Sequence, residues 1–202
     1  MTTGTTTRER NPYAPPAARL GMATAAGHAE FYIVSRRKFV LLFVATVGLY
    51  QLYWFYRHWK QYGQAHQKLL WPVPRAIFAI FFTHSLVRNI RLSLRLGSRP
   101  HRWAPRTLAT IFVILQIASN ILDRLSSYGI GTPASFWASL LVLVPLGATL
   151  LSIQGAANVA CGDPAGSRNS RLTAANWAWL GLGGLFWALL LARLLSPEQS
   201  PA

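Results

Sequence analysis

The sequence predicts an all-α membrane protein, a polytopic transmembrane helical bundle of about five spans. Of the 202 residues, 52% are apolar and only 12% are charged, whereas soluble proteins average roughly 25% charged residues. The apolar residues gather in stretches close to the ~20 residues that a helix needs to cross a bilayer. Most basic residues lie between these stretches. The predicted spans lie near residues 39–56, 74–92, 107–122, 133–153 and 176–195.

Two tails flank the predicted transmembrane domain, which covers residues 31–195. Residues 1–30 are rich in Thr, Ala and Pro and lack the continuous apolar core of a cleavable signal peptide. We therefore expect a disordered cytoplasmic tail here, and a short C-terminal tail over residues 196–202. Insertion would then be directed by the first apolar stretch, which would remain in the mature protein.

The first predicted span has eighteen residues without a charge, between the basic residues 36–38 and Arg57. Tyr and Trp side chains gather in its second half, where a spanning helix should meet the headgroups.

The second stretch is apolar at first and then becomes basic on one side. His84, Arg88, Arg91 and Arg95 are spaced by four, three and four residues, which places them on one face of a helix. Two placements stay open. The helix crosses obliquely and its cations extend to the headgroups, or it lies in the interface with its basic face toward anionic lipid.

The third and fourth stretches are joined by a short connector and should run antiparallel. The third carries Gln116, Asn120 and Asp123 on one face. Hydrogen bonding between helices is the favoured interpretation of this polar stripe, and a polar cavity for a solute is the alternative. The fourth stretch contains Pro145, which predicts a kink.

The fifth stretch carries small residues on one narrow face: Ala178, Gly181, Gly184 and Ala188. Such a face lets another backbone approach closely, so we expect a helix-packing contact. Another span of this chain is the favoured partner, and a second copy is the alternative. Before this stretch, amides and glycines are concentrated between Gln154 and Asn176, which predicts a compact turn structure.

Charge counting gives the orientation. With five spans, fourteen basic residues lie on the side of the N-terminus and six on the other. If the first two stretches both stay on one surface, the division becomes eighteen to two. Both arrangements place the N-terminus in the cytoplasm by the positive-inside rule. Hydrophobicity favours five spans, and three spans with two interfacial helices are the alternative.

The composition argues against several function classes. The net charge of +15 would suit nucleic acid, but the cations occupy short connectors instead of one face of a soluble domain, so we expect no nucleic-acid partner. The single cysteine, Cys161, and the scattered histidines do not have the spacing of a metal or haem site, and no cofactor is predicted. With five acidic residues a catalytic set is hard to assemble, and we do not predict an enzyme.

A compact pattern surrounds the first stretch. Ser35 is followed by Lys38 and Phe39, then by Thr-x-Gly-Leu-Tyr at 46–50 and Tyr-Trp-Phe-Tyr at 53–56, with Trp59 beyond. This pattern resembles the opening motif of a group of bacterial inner-membrane proteins of unknown function. The resemblance implies a membrane location and a helical fold, and it brings no known activity.

The favoured function is therefore that of a structural or interaction protein whose basic cytoplasmic rim contacts anionic lipid headgroups, with a homo-oligomer or a membrane-protein partner left open. The alternative is a small-solute carrier or channel that uses the polar stripe on the third span. In both cases we expect a multi-pass membrane protein with a cytoplasmic N-terminus, and the resemblance implies the bacterial inner (cytoplasmic) membrane.

Overall fold

The computed structural model describes residues 29–195, and the two predicted tails lie outside this range apart from residues 29 and 30. The described part of the chain contains helices and no strands, which confirms the all-α part of the predicted fold class. Its seven α-helices are α1 Arg36–Ala45, α2 Tyr50–Ala65, α3 Pro72–Ile77, α4 Ala79–Leu96, α5 Pro105–Ser127, α6 Ala134–Ala160 and α7 Ala174–Leu195, with a short 3₁₀ turn at Ser167–Asn169.

Among residues 29–195, three helices are long and apolar enough to cross a membrane: Pro105–Ser127, Ala134–Ala160 and Ala174–Arg193. They coincide with the predicted third, fourth and fifth spans, apart from residue 133 and residues 194–195 at the ends. α5 and α6 pack against each other, as their short connector predicts, and α6 continues through Pro145. The described chain therefore has the helices of a membrane protein, but five spans are not confirmed.

Residues 39–56 do not form one helix, which differs from the predicted first span. α1 ends at Ala45 and α2 begins only at Tyr50. Val47 and Gly48 have φ values of 50° and 85°, and an α-helix cannot continue through positive φ. A ten-residue helix such as α1 is about 15 Å long, which is half of the ~30 Å hydrocarbon core.

The turn between α1 and α2 satisfies its own backbone. The Thr46 hydroxyl donates to the Leu42 carbonyl at 2.7 Å and accepts from the backbone N–H of Tyr50 at 2.9 Å. The N–H of Gly48 donates to the Phe43 carbonyl at 2.8 Å. Buried irregular backbone is costly unless its polar groups are paired in this way.

The α1–α2 hairpin, residues 36–65, reaches the middle of two apolar helices. Gly147, the central residue of α6, lies against Phe43 of α1, and a Cβ at this glycine would be 2.8 Å from the Phe43 ring. The Trp187 indole N–H of α7 donates to the Val44 carbonyl at 3.1 Å. At its other end, α1 begins near the start of α7, where the Lys38 ammonium donates to the Arg171 carbonyl at 2.8 Å.

α2 then runs back to the end at which α1 began. Its Tyr62 ring stacks on Phe31 with a centroid distance of 5.6 Å. His66, immediately after α2, lies 2.7 Å from the Glu30 carboxylate. The hairpin therefore enters and leaves at the same end of the helix bundle.

The predicted second span is also divided. Residues 74–92 are shared between α3 and α4, which are separated at Phe78. α4 is amphipathic: it buries Leu86, Val87 and Ile90 and packs against α5 and α6. It is not among the helices that are apolar enough to cross a membrane, because arginine recurs along its outer face.

Candidate functional site

A short extended segment, residues 31–34, lies against the end of α6, and we call it the N-terminal strap. Its four residues are all buried, with exposures between 0% and 6%. Extended backbone has no helical hydrogen bonds of its own, and buried peptide groups are costly unless they are paired. Side chains from α6 and from the following loop supply these partners.

Gln154 of α6 forms the centre of this pairing. Its side-chain N–H groups donate to the Tyr32 carbonyl at 2.9 Å and to the Asn158 Oδ1 at 2.7 Å. Its Oε1 accepts from the Trp54 indole N–H at 2.5 Å and lies 3.2 Å from His58 Nε2. Gln154, Asn158, Trp54 and His58 are all 0% exposed. One glutamine thus joins the strap, α2 and α6.

Two asparagines complete the attachment of the strap. The Asn158 amide donates to the Val34 carbonyl at 3.0 Å. The Asn169 amide donates to the Ile33 carbonyl at 2.8 Å, and its oxygen accepts from the Lys38 ammonium at 2.7 Å. Lys38 is only 4% exposed. We refer to Gln154, Asn158 and Asn169 together as the amide network.

A cavity of about 550 Å³ opens beside the amide network, between the strap, α2 and the start of α7. Four cationic side chains line it, and none of its lining residues is acidic: the cations are Lys38, Arg57, Lys60 and Arg168. We call this cavity the basic cleft. The segments that form it are remote in sequence, and the amide network holds them together.

Arg57 occupies the wall of the basic cleft in an unusual state. Its guanidinium carbon lies 5.2 Å from the ring centroid of Tyr32 and 5.8 Å from that of Tyr53, which is cation–π geometry. Its Nε is buried and has no hydrogen-bond partner among the described residues. The aromatic rings fix the cation without neutralising its charge.

The nearby carboxylates are engaged elsewhere. The Glu30 carboxylate accepts from the Ser93 hydroxyl at 2.5 Å and pairs with His66. The Asp163 carboxylate accepts from the backbone N–H groups of Ser167 and Arg168 at 3.0 and 2.9 Å. Within residues 29–193, no carboxylate lies within 4.0 Å of Lys38, Arg57 or Lys60.

The pKa of Asp163 follows from these contacts. Burial alone would raise its pKa, but the backbone donors of Arg168 and Ser167, the Ser167 hydroxyl and the Arg168 charge together hold it below its usual value. The ionised carboxylate therefore organises the loop that carries Asn169.

The predicted basic face of the second stretch lies largely on the surface of α4. His84, Arg88 and Arg95 are exposed and Arg91 is half-buried. Arg91 and Arg95 also line a second cavity, of about 640 Å³, with Arg99, His101 and Arg106 at the start of α5. The Arg99 guanidinium hydrogen-bonds the Ala160 carbonyl at the end of α6. This second basic region therefore lies at the same end of the bundle as the strap, and its contact with lipid remains a prediction.

The polar side chains of α5 bond within their own helix, and the Gln116 Oε1 is buried without a hydrogen-bond partner among the described residues. The Gln116 amide donates to Asn120 Oδ1 at 3.0 Å, and the Ser119 hydroxyl lies 3.5 Å from the Asp123 carboxylate. Neither cavity described above is lined by Gln116, Asn120 or Asp123.

The predicted packing face of α7 is exposed. Ala178, Gly181, Gly184 and Ala188 are all exposed, and a Cβ at either glycine would meet nothing within 4 Å. The contact between α7 and α1 instead uses Gly183, which is buried, and Trp187. The favoured internal contact is therefore made by a neighbouring face of the same helix.

Sequence reasoning did not find the amide network as a site. It noted the amides between Gln154 and Asn176 but not that they pair with a segment more than 120 positions away in the chain. The available signal was a glutamine and an asparagine four residues apart in an otherwise apolar helix, a position where polar groups must find partners.

No protein-family model matches this chain, and no curated protein or solved structure matches it. Within the described residues, no group of three or more His, Cys, Asp or Glu side chains is placed to hold a metal ion. Functional interpretation therefore depends on the geometry of the chain itself.

Proposed function

We propose that this chain is a structural or interaction protein of the bacterial inner membrane whose basic cytoplasmic end contacts anionic phospholipid headgroups. One observation supports the proposal above others: both basic cavities and the exposed cations of α4 lie at one end of the three apolar helices. Near-surface cations each contribute on the order of 1 kcal/mol to binding an anionic bilayer.

The proposed topology has three spans, α5 to α7, with the α1–α2 hairpin re-entering the bilayer only to its middle. α3 and α4 lie in the interface on the same side. Eighteen of the twenty Lys and Arg residues then belong to that side, and only Arg124 and Arg193 to the other. Such asymmetry favours a cytoplasmic N-terminus. Charge distribution and helix length thus support the same arrangement independently.

Cysteine labelling tests this topology. A Lys68→Cys substitution, in a Cys161→Ser background, should react with a membrane-impermeant maleimide in inverted vesicles and not in intact spheroplasts. Ser126→Cys, in the last turn of α5 at the other end of the spans, is the matched control with the opposite pattern. Labelling of Lys68→Cys from outside would support the five-span arrangement and contradict the re-entrant hairpin.

Lipid selectivity tests the functional proposal. The purified full-length protein is presented with mixed phosphatidylglycerol and phosphatidylcholine, and its annular lipid is quantified. Removing two exposed cations of α4 by Arg88→Gln and Arg95→Gln should lower the preference for phosphatidylglycerol by about 2 kcal/mol, or about thirtyfold. Arg124→Gln with Arg193→Gln removes the same charge at the other end and should leave the preference unchanged. Equal effects of the two pairs, or no initial preference, would contradict the proposal.

A further inference from the structure

We propose that the basic cleft is a stoichiometric binding site for one hydroxyl-bearing phosphoester, of the kind found in a glycerol phosphate headgroup or in a soluble sugar or glycerol phosphate. The proposal deepens the proposed function, on which it rests for the position of the cleft at headgroup level. It differs from a diffuse basic rim because it requires a saturable site with fixed geometry.

The first argument is charge. Lys38, Arg57 and Lys60 line the cleft without a carboxylate within 4.0 Å. The fourth cation, Arg168, has one ion pair, a long contact of 3.8 Å between its Nε and the Asp163 carboxylate, and its guanidinium also donates to the Cys161 carbonyl at 2.7 Å. Like charges that converge on a cavity destabilise one another unless an anion joins them. A phosphate offers several acceptor oxygens to such donors.

The second argument is the orientation of two helices. The cleft is lined by Lys38 in the first turn of α1 and by Asn176 in the first turn of α7. The N-terminal ends of both helices therefore lie beside the cavity, and the partial positive charge there favours an anion. This field adds to the side-chain charges in the same place.

The third argument is preorganisation. Lys38 is held by Asn169 and the Arg171 carbonyl, and Arg57 is held over the Tyr32 ring. These cations lose little further freedom on binding, which favours affinity. Burial lowers the pKa of the Lys38 ammonium, and a bound anion would oppose that effect.

The fourth argument identifies the chemistry beyond the phosphate. The cavity volume of about 550 Å³ is in the range of small-molecule sites, about 300–1,000 Å³, and is larger than a bare phosphate requires. Gln61 lines the cleft, and its side-chain oxygen is buried without a hydrogen-bond donor in the described structure. A hydroxyl of the ligand would supply that donor.

The experiment uses the full-length protein in a neutral detergent. Binding of glycerol 3-phosphate, of phosphatidylglycerol doped into the micelles and of phosphatidylcholine is measured by calorimetry. We expect saturation at one equivalent with a phosphoester probe and none with phosphatidylcholine. Arg57→Gln with Lys60→Gln should weaken binding by about tenfold or more, because charge-assisted hydrogen bonds are lost.

The choice of probe distinguishes a lipid headgroup from a soluble phosphoester. The choice of variant distinguishes the basic cleft from the proposed lipid-contacting rim. Saturation by phosphatidylglycerol alone would assign the site to a headgroup, and saturation by glycerol 3-phosphate would assign it to a soluble phosphoester. Arg88→Gln with Arg95→Gln, which lie outside the cleft, should not change the stoichiometric binding. If they abolish lipid preference but leave saturation intact, the rim and the cleft are distinct.

Two results would overturn the site. One is the absence of saturable binding by either phosphoester, and the other is unchanged affinity in the cleft variants. Lys60→Gln alone controls for misfolding, because the Lys60 side chain is exposed and its replacement should leave the fold intact. This variant should still weaken phosphoester binding severalfold. Gln61→Met should weaken glycerol 3-phosphate more than inorganic phosphate, which has no glycerol hydroxyl.

Discussion

Two glutamines in two apolar helices have opposite environments. Gln154 of α6 is fully buried and joins the N-terminal strap to α2. Gln116 of α5 is half-buried and bonds only to Asn120, one turn further along its own helix. Burying either glutamine side chain in an apolar medium is costly unless it is hydrogen-bonded. Only Gln154 uses its hydrogen bonds to connect segments that are distant in the sequence.

The comparison shows what a polar side chain specifies in such a bundle. A bond between residues i and i+4 satisfies two groups but leaves the helix free to choose its neighbours. A residue that pairs with an indole and a remote backbone carbonyl fixes one arrangement, since any other leaves several buried groups unpaired. The strap and hairpin are thus attached by polar contacts, while the outer faces of α5 and α7 remain generic apolar surface.

The largest expected effect comes from testing the two glutamines directly. Gln154→Ala leaves the Trp54 N–H and the Tyr32 carbonyl without partners, and each unsatisfied buried group costs about 1–3 kcal/mol. We expect a loss of roughly 3–5 kcal/mol in the free energy of unfolding, including the cavity. Denaturant unfolding in detergent, followed by tryptophan fluorescence, measures it.

Gln116→Ala is the matched control. It should lower the free energy of unfolding by less than about 1 kcal/mol, because only one exposed side-chain hydrogen bond is lost. The difference between the two variants matters more than either value. Equal losses would mean that the amide network does not hold the strap, and the basic cleft would then lack its supporting structure.

The three apolar helices were predictable because length and hydropathy alone define them. The α1–α2 hairpin was not, since eighteen uncharged residues satisfy the same criterion whether or not the chain turns within them. The local signals were Thr46, whose hydroxyl accepts from the Tyr50 backbone N–H, and Gly48, which adopts a positive φ at the turn. The eighteen-to-two charge division favoured the alternative in which the first two stretches stay on one side.

The candidate site likewise has one part that could be predicted from the sequence and one part that could not. The exposed basic face of α4 follows from helical spacing, so His84, Arg88 and Arg95 could be placed from the sequence. The basic cleft could not, because Lys38 and Arg168 are 130 positions apart and meet only through tertiary contacts. Periodicity describes one helix at a time and contains no information on which segments share a cavity.

Two adjacent glycines of α7 allow a similar comparison at the α1–α7 contact. The expected change in the free energy of unfolding is smaller than for the two glutamines. A Cβ at Gly183 would clash with the Ala45 carbonyl oxygen, whereas one at Gly184 would meet nothing within 4 Å. Gly183→Ala must move α7 away from the hairpin and should destabilise the protein by about 1–3 kcal/mol. Gly184→Ala should be neutral or slightly stabilising, because alanine favours the helix by up to about 1 kcal/mol.

The same unfolding assay checks the glycine pair, and a second readout locates the change. Displacement of α7 should break the Trp187 bond to the Val44 carbonyl and alter near-ultraviolet circular dichroism only in Gly183→Ala. Indistinguishable behaviour of the two variants would mean that the hairpin does not pack against this face of α7.

The smallest expected effect concerns the loop that carries Asn169. The pKa of Asp163 is lower in the folded protein than its usual value, so its contribution is present above the unfolded pKa of about 3.9 and is lost as pH falls through the folded value. Asp163→Asn should lower the free energy of unfolding by about 1 kcal/mol at neutral pH, because the backbone N–H groups of Ser167 and Arg168 lose a charged acceptor. The gap from wild type should close at acidic pH. Asp123→Asn, whose carboxylate has one contact at 3.5 Å, should show almost no gap at neutral pH. A gap for Asp163→Asn that persists unchanged at low pH would show that side-chain shape, and not ionisation, organises this loop.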